Sequence, residues 1–410
     1  MGDLSWRFDK NEKKYVNEVL DSGFASGTSG NMNTRLERAF AESMNQKFAI
    51  TYNSGTTTLH AALETFGVGF GDEVIVTPLT VISCMNAILY CNAIPVFADI
   101  DPDTFLMDPK SIESKISSKT KAIMVVHLYG QVANMTEIMK LADKHNLFVL
   151  EDCAQCYLGT HNGKIGGTIG HIGSWSFENS KHLTTGDGGI VTTDSEEMGD
   201  LLRKFNSQGF RNATAINGKI RSSKDIFQQP TYKRHNMLGF MYRLPEVAAA
   251  IGLAQVEKME WFVNKRIKMG NLYTKVILDS KCDWLIPQKT PDGDINSFYT
   301  YGLKMINKDI EWSNFRKKYV EFGGDGVYAA WTLCYKEDSI PDVLKRLKKI
   351  GYNGLRSNLG ILPKFKYNNG LCPIAEKVQT QLMQLTTNQK NEEERTKQAD
   401  ILYKTIKYFS

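Results

Sequence analysis

The stretch FAITYNSGTTTLHAALETFGVGFGDEVIVT, residues 48–77, decides the fold. It runs from a β-rich segment (48–52) through a helical pattern into a second apolar segment (73–77). Three more segments of this kind follow, IPVFADI (94–100), KAIMVVHLY (121–129) and LFVLED (147–152). Apolar runs without strict alternation are typical of strands covered on both faces. Strands that alternate with helices predict a mostly parallel sheet, with ligands at the carboxyl ends of its strands.

The pattern changes after residue 170. Two shorter strand segments, SWSFE (174–178) and GIVTTD (189–194), are joined by a glycine-rich turn. The polar stretch 211–235 is typical of an exposed loop. A long helical pattern then begins near Leu244, with Pro245 in its first turn. We therefore predict an α/β protein with three parts: a large domain with an N-terminal arm (1–245), a connecting helix (246–280) and a small α+β domain (281–410).

Composition excludes several classes of protein. The 410 residues are 42% hydrophobic and 23% charged, which is typical of a globular chain with a large core. The net charge of +5 is spread along the chain, so composition does not support nucleic-acid binding. No apolar run is long enough to span a membrane, and the charged N-terminus lacks the apolar part of a signal peptide. Seven scattered cysteines argue against a disulfide framework. We expect a cytoplasmic protein.

A phosphate-binding motif follows the first strand. In Asn53-Ser54-Gly55-Thr56-Thr57, a polar turn opens a helix. Free backbone N–H groups and the positive end of the helix dipole attract phosphate, and the hydroxyl groups add donors. The same residues would also suit an ordinary serine N-cap, so the motif alone leaves both interpretations open.

A strand-end carboxylate is the second candidate. Asp152 closes the apolar strand LFVLED, at the edge where a ligand is expected. It could bind a cationic group or simply cap the next helix. Cys153 and Cys156 form a C-x-x-C pair, but no second pair exists for zinc, so we interpret them as buried thiols and predict no metal site.

The third candidate is Lys181, in SWSFENSKHLTTGDGG (174–189). It stands between a buried-looking strand and a glycine-rich turn that permits close backbone approach. A lysine in such a place can act as a Schiff-base amine, although a single loop lysine more often points into water. We interpret the adjacent His182 as a packing histidine.

Together these three segments supply what is needed to hold pyridoxal 5'-phosphate (PLP). The chain resembles the DegT/StrS family of sugar aminotransferases, which have the fold-type I architecture. The resemblance runs from about residue 15 to the C-terminus through the segments NSGTTTLHAAL, GDEVIVTPLT, PVFADIDPDTF, KAIMVVHLYGQ, EDCAQ, SFENSKHLTTGDGGIVTTD, YRLPEVAAAIGLAQVEK and CPIAEK. It implies a large seven-stranded, mostly parallel sheet and a smaller C-terminal α+β domain.

The resemblance also implies roles for individual residues. Lys181 matches the lysine that bonds the cofactor, Asp152 the carboxylate on the pyridine nitrogen, and Gln155 the residue on the ring 3-hydroxyl. Three further residues match phosphate-binding positions: Gly55, Thr56 and Ser176.

Two positions depart from the family pattern. Val81 stands where relatives usually place an aromatic residue over the cofactor ring. Met241 stands where many relatives have an asparagine that reaches the phosphate of the neighbouring subunit. Methionine cannot donate a hydrogen bond, and Arg243 could replace that asparagine with a charged donor. The resemblance thus implies a homodimer with shared active sites.

The activity that we expect is transfer of an amino group from glutamate or glutamine to a nucleotide-linked keto-sugar, with PLP and its amine form as cofactor. Such a reaction would serve amino-sugar, surface-polysaccharide or glycan biosynthesis. A small phosphorylated ketone stays open as the acceptor. A sugar dehydratase is disfavoured because that branch has histidine where Lys181 stands. A catalytically silent relative is disfavoured by the intact set Lys181, Asp152 and Gln155.

Overall fold

The structure, a computed structural model, describes residues 4–220, 223–347 and 370–410. Its helices are α1 (Lys10–Asp21), α2 (Met32–Ser43), α3 (Gly55–Thr65), α4 (Ile82–Tyr90), α5 (Pro109–Lys115), α6 (Met135–His145), α7 (Glu196–Asn206), α8 (Lys224–Phe227), α9 (Glu246–Val256), α10 (Met259–Asp279), α11 (Trp312–Glu321), α12 (Ile340–Leu347), α13 (Pro373–Gln379) and α14 (Glu392–Phe409).

The strands are β1 (Phe48–Tyr52), β2 (Glu73–Val76), β3 (Ile94–Phe97), β4 (Thr120–Val126), β5 (Phe148–Asp152), β6 (Thr160–His161), β7 (Lys164–Ile165), β8 (Ile172–Ser176), β9 (Gly189–Thr193), β10 (Leu285–Pro287), β11 (Tyr301–Met305), β12 (Val327–Ala329) and β13 (Leu382–Leu385). Seven of them form one sheet in the order β1-β9-β8-β5-β4-β2-β3. Only β9 runs antiparallel to its neighbours in that sheet. The predicted seven-stranded, mostly parallel sheet is confirmed.

The central strands are apolar because both faces of the sheet are covered. Every residue of β2, β8 and β9 is buried, as are the last four of β5. Strands of this kind place their polar ends at one edge of the sheet, where the loops leave for the next helix. The carboxyl ends of β1, β5 and β8 share that edge, and each is followed by one of the three candidate segments.

The predicted connecting helix is wrong in one respect. The stretch 246–280 forms two helices, α9 and α10, that are separated at Glu257 and Lys258. Both side chains are taken by the N-terminal segment: Tyr15 Oη donates to Glu257 Oε1 (2.7 Å), and Lys258 Nζ donates to Glu12 Oε1 (2.7 Å). These long-range contacts lie where the helix is interrupted, and the helical pattern of the sequence does not reveal the interruption. Pro245 is the N-cap of α9 rather than part of its first turn.

The second half of the chain adds a four-stranded antiparallel sheet, β10-β11-β13-β12, with its own apolar core. That core gathers residues of α10, α11 and α14, whereas residues between Ala330 and Ile340 pack on the core of the large sheet. The domain limits at 245 and 280 stay predictions. The described part of 211–235 is irregular apart from α8, in line with the predicted loop. Among the described residues, no helix has both the length and the apolar character that crossing a bilayer requires.

Candidate active site

Asp152 lies at the carboxyl end of β5, opposite Ser174 of β8, and is only 3% exposed. Its Oδ1 accepts a hydrogen bond from the backbone N–H of Ala154 (2.9 Å), and its Oδ2 accepts one from Cys84 Sγ (3.2 Å). Burial and the nearby Asp152 carboxylate raise the pKa of the Cys84 thiol well above its usual value, so the thiol keeps its proton and donates. The carboxylate is therefore oriented but has lone pairs to spare.

Gln155 follows three residues after Asp152 and is also buried. Its Oε1 accepts from the backbone N–H of Tyr129 (2.9 Å), which leaves the side-chain NH₂ group to act as a donor. Cys153 and Cys156 are fully buried, and burial raises the pKa of the Cys156 thiol to about 12. The interpretation of this pair as buried thiols is confirmed.

The motif at the start of α3 forms a narrow cradle. Ser54 caps the helix by accepting from the backbone N–H of Thr57 (3.2 Å). A Cβ atom at Gly55 would lie 2.7 Å from the Cβ of Ser176, so only glycine fits there. The first N–H groups of a helix have no intrahelical acceptor, so those of Gly55 and Thr56 are available to an anion. The Ser176 hydroxyl lies beside them.

Lys181 stands in the turn after β8 and is partly exposed. Its backbone N–H donates to Glu178 O (3.0 Å), and its Nζ lies 4.8 Å from the ring centroid of Tyr299. His182 has the opposite environment: it is 1% exposed, and its Nε2 donates to Ser297 O (3.1 Å). Burial and the positive charge of Arg266 hold the pKa of His182 well below its usual value. His182 is the packing residue that the sequence analysis expected.

Arg7 is a functional candidate that sequence reasoning missed. Its guanidinium is 3% exposed and donates to the carbonyl oxygens of Asn179 (2.8 Å), Lys181 (2.7 Å) and His182 (2.9 Å). Burial lowers the pKa of Arg7 to about 10, so the group stays charged at neutral pH. Arg7 thus holds the backbone on both sides of the Lys181 side chain. No local motif points to it, because the contact spans more than 170 residues.

Short contacts join these segments into one site. Thr58 Oγ1 of α3 lies 2.7 Å from Ser174 Oγ of β8. At the start of α4, Ser83 Oγ accepts from Thr56 Oγ1 (3.0 Å) and Cys84 donates to Asp152. The structure therefore brings the phosphate motif, the carboxylate and the glutamine segment to the same edge of the sheet.

The two departures from the family pattern lie at different places. Val81 is the partly buried N-cap of α4, two residues before Ser83, and so belongs to this edge. Arg243 is half-buried and turned toward its own chain, where it donates to Thr28 Oγ1 (3.1 Å) and to the sulfur of the exposed Met241 (2.9 Å). Within one chain, Arg243 therefore bonds to Thr28 and Met241 and not to the candidate cofactor-binding residues.

The residues present fit PLP. The anion cradle between Gly55 and Ser176 suits a phosphate, and the lone pairs of Asp152 suit a protonated ring nitrogen. The NH₂ group of Gln155 suits a hydroxyl or oxyanion acceptor, and Lys181 supplies the amine. Each polar part of the cofactor has a partner of the matching chemistry.

Known proteins of similar sequence identify the family of this chain. The sequence model of the DegT/DnrJ/EryC1/StrS aminotransferase family matches residues 7–322. The GDP-perosamine synthase of Escherichia coli O157:H7 is 41% identical over 266 residues, covering 65% of this chain and 68% of that protein. The GDP-perosamine synthase of Caulobacter vibrioides is 39% identical over 280 residues, covering 66% and 71%.

The architecture also matches that of solved enzymes. The X-ray structure of an aminotransferase from Psychrobacter cryohalolentis superimposes with a TM-score of 0.80 at 27% identity, covering 96% of both chains. Because the family match spans most of the large sheet domain and the segments of the site, the chain belongs to the DegT/DnrJ/EryC1/StrS aminotransferase family and is a PLP-dependent transaminase.

Proposed function

We propose that this chain transfers the amino group of glutamate or glutamine to a nucleotide-linked keto-sugar, for amino-sugar and surface-polysaccharide biosynthesis. The observation that carries the acceptor class is the shared name of its relatives. Three proteins that are 32–41% identical over 65–77% of this chain are GDP-perosamine synthases. A transaminase makes an amino sugar from the corresponding ketone, so a GDP-linked keto-sugar is the first acceptor to test.

Four residues hold the cofactor in this proposal. The backbone N–H groups of Gly55 and Thr56 and the Ser176 hydroxyl bind the phosphate, where the helix dipole favours negative charge. The side chain of Val81 packs on the ring face by apolar contact. When bound, PLP supplies an electron-withdrawing ring that stabilises negative charge on the substrate carbon.

Three further residues carry out or direct the chemistry. The Asp152 carboxylate accepts from the ring nitrogen and keeps a proton there, and the Cys84 and Ala154 hydrogen bonds hold the carboxylate in place. The Gln155 NH₂ group donates to the ring 3-hydroxyl oxygen. The Nζ of Lys181 would hold the cofactor and, when free, would move a proton to or from the substrate carbon.

His182 does not supply the chemistry of a dehydratase. Because it is buried, neutral and bonded to Ser297 O, it cannot take the place of Lys181 in the pocket. This observation favours transamination over dehydration.

A half-reaction screen tests the acceptor. The amine form of the holoenzyme is mixed with GDP-linked, UDP-linked and dTDP-linked keto-sugars and with a small phosphorylated ketone, and recovery of the aldehyde absorbance is followed. We expect the GDP-linked ketone to react fastest. Recovery with only the small phosphorylated ketone would overturn the nucleotide-sugar proposal, and Lys181→Ala serves as the control without turnover.

We also propose a homodimer with shared active sites. The segment before Arg243 exposes large apolar side chains, with Leu238 81% and Met241 53% exposed. Such an apolar run suits a protein interface. Tyr242 O accepts from Asn53 N–H (2.8 Å), so the segment borders the phosphate motif. On dimer formation Arg243 would leave Thr28 and reach the neighbour's phosphate with a forked pair of donors.

Subunit mixing tests this arrangement. Arg243→Ala should weaken cofactor retention, and mixing it with Lys181→Ala should restore activity through hybrid dimers that contain one intact site. Fully active monomers in ultracentrifugation would rule the shared site out.

We propose a cytoplasmic location, which is supported by the seven cysteines, all of them free thiols.

A further inference from the structure

A second cluster of reactive side chains lies at the far end of α4. His60 and Glu64 are one turn apart on α3, and Cys91 follows the last residue of α4. The ligand atoms of these three residues all lie within 4.8 Å of one another. Cys91 is seven residues beyond Cys84, which is about 10 Å along a helix, so the cluster is separate from the Asp152 site.

The imidazole of His60 is the unusual member of this cluster. It is 3% exposed, and its Nδ1 lies 3.2 Å from Tyr242 Oη. Its Nε2 is buried and has no hydrogen-bond partner among residues 4–220, 223–347 and 370–410. The Glu64 Oε1 atom lies 3.5 Å from this nitrogen. Buried polar atoms are nearly always paired, so this nitrogen calls for an explanation.

The surroundings of His60 fix the direction of its ring. The rings of Tyr90, Phe205 and Phe240 contact it edge-on, at centroid distances of 5.3–5.6 Å. If the Nδ1–H group donates to Tyr242 Oη, the Nε2 lone pair points toward the Glu64 carboxylate. In that tautomer two acceptors face each other, and a metal cation between them would satisfy both, whereas in the other tautomer a neutral Nε2–H group faces Glu64.

We propose that His60 Nε2, a Glu64 carboxylate oxygen and Cys91 Sγ bind a zinc ion. Two ligands about 2.1 Å from a tetrahedral zinc lie about 3.4 Å apart, close to the 3.5 Å between Nε2 and Oε1. Imidazole and thiolate favour zinc over magnesium or calcium. The Glu64 side chain is 36% exposed, so water can reach the fourth position.

Zinc binding requires one proton to leave. The Cys91 thiol now donates to Ala87 O (3.4 Å), and burial and the Glu64 carboxylate raise its pKa above the usual value. Zinc would bind the thiolate, and the thiol proton would pass to solvent. The Tyr242 hydroxyl orients the imidazole from behind, as outer partners of zinc-bound histidines do. The ion would thus join α3, α4 and the segment that precedes Arg243.

The sequence does not predict this site, because its three residues do not have the spacing of a metal-binding motif. His60 and Glu64 are separated from Cys91 by 31 and 27 positions, and only the packing of α4 on α3 brings them together. The C-x-x-C pair has metal-like spacing, but in the part of the chain that the structure describes it does not belong to a group of three or more possible metal ligands.

Zinc content and thermal unfolding of the holoenzyme test the proposal. Protein is stripped with a chelator, dialysed with and without Zn²⁺, and analysed for bound metal and unfolding temperature. We expect about one zinc per chain and a higher unfolding temperature with Zn²⁺. Glu64→Gln and Cys91→Ser should each lower the zinc content severalfold and remove the temperature shift. Cys282→Ser, a thiol outside the cluster, is the matched control and should retain both.

Equal zinc content in the wild type, Glu64→Gln and Cys91→Ser would overturn the proposal, as would wild-type protein that binds no zinc. If Cys91→Ser does not fold, Glu64→Gln decides, because that side chain is partly exposed and the substitution keeps its shape. The alternative, a His60 Nε2–H group that faces Glu64 without a metal, predicts no response to Zn²⁺ in any variant.

Discussion

Glu151 and Asp152 are adjacent on β5 and face opposite sides of the sheet, and their surroundings differ. Glu151 is fully buried and accepts four hydrogen bonds: from His127 Nε2 (2.8 Å) and from the backbone N–H groups of Gly167 (2.8 Å), Ile169 (2.7 Å) and Gly170 (2.5 Å). Asp152 accepts one from a backbone amide and a weak one from a thiol.

A carboxylate offers about four lone-pair positions, so Glu151 is saturated while Asp152 has positions to spare. Burial alone would raise the pKa of Glu151, but the His127 and backbone hydrogen bonds outweigh it and hold the pKa below its usual range. The comparison indicates that a saturated carboxylate ties loops to the sheet, whereas an unsaturated one is available to a ligand. The two residues should therefore fail in different ways when they are changed.

The largest expected effect follows Asp152→Asn. A neutral amide cannot keep the ring nitrogen protonated, and each pKa unit lost there corresponds to about 1.4 kcal/mol, or about tenfold in rate. We expect turnover to fall by orders of magnitude, while cofactor binding and the unfolding temperature change little. Steady-state kinetics beside a thermal melt checks this, and turnover within a few-fold of wild type would refute the assigned role.

Glu151→Gln should show the reverse pattern. The amide oxygen can satisfy only part of the donor set, and its NH₂ group would face backbone N–H donors. Breaking a buried, hydrogen-bonded pair costs about 3 kcal/mol, so the free energy of unfolding should fall by about that amount. Denaturant unfolding measures it. Turnover per folded molecule should stay within a few-fold, and a loss as large as that of Asp152→Asn would end the distinction.

A similar contrast separates Lys181 from Arg7, which holds the lysine's backbone without entering the chemistry. Arg7→Gln removes three hydrogen bonds to that turn. Because misplacement by about 1 Å can cost about a hundredfold, we expect kcat to fall by about tenfold to a hundredfold with little change in KM.

The control for Arg7 is Arg7→Lys, which keeps the charge and some of the donors and should recover part of the lost kcat. The pH dependence of the cofactor absorbance should also shift in Arg7→Gln, since the environment of Lys181 changes. A loss of stability with unchanged kcat and absorbance would reduce Arg7 to a structural residue.

The smallest expected effect concerns His182. Its folded pKa lies well below 6.5, so below pH 6.5 the unfolded chain binds more protons than the folded one. The stability that this histidine contributes is therefore complete above pH 6.5 and is lost as the pH falls, by at most about 1.4 kcal/mol per pH unit. We therefore expect the difference in the free energy of unfolding between wild type and His182→Gln to shrink or change sign as the pH falls below 6.5. Denaturant unfolding at a series of pH values measures this difference. Parallel curves down to pH 5 would contradict the assignment.

Much of the fold could be predicted from local patterns. The segments FAITY, EVIVT and LFVLED each became strands at or within one residue of their predicted limits, because apolar β-branched runs between turn signals have few alternatives. The cap at Ser54 was also visible, because its reason is local: a hydroxyl acceptor at the start of a helix. The need for glycine at Gly55 comes instead from Ser176 of β8, a contact between distant parts of the chain.

What could not be predicted depends on contacts between distant parts of the chain. The break between α9 and α10 lies where Glu257 and Lys258 bond to the N-terminal segment, and nothing in their own neighbourhood signals it. Arg7 meets the Lys181 turn across 174 positions. Most of the hydrogen bonds that saturate Glu151 come from a loop that the strand pattern does not reveal. In the sequence the two residues are simply adjacent carboxylates, and only the fold distinguishes them.

The most direct test of the account is the location of the covalent cofactor bond. The holoenzyme is reduced with borohydride, digested and mapped by mass spectrometry, with Lys181→Ala treated in parallel. The account predicts a single pyridoxyl-labelled peptide that contains Lys181, together with loss of the label and of the visible absorbance in Lys181→Ala. A label on a different lysine, or one that persists in Lys181→Ala, would contradict it.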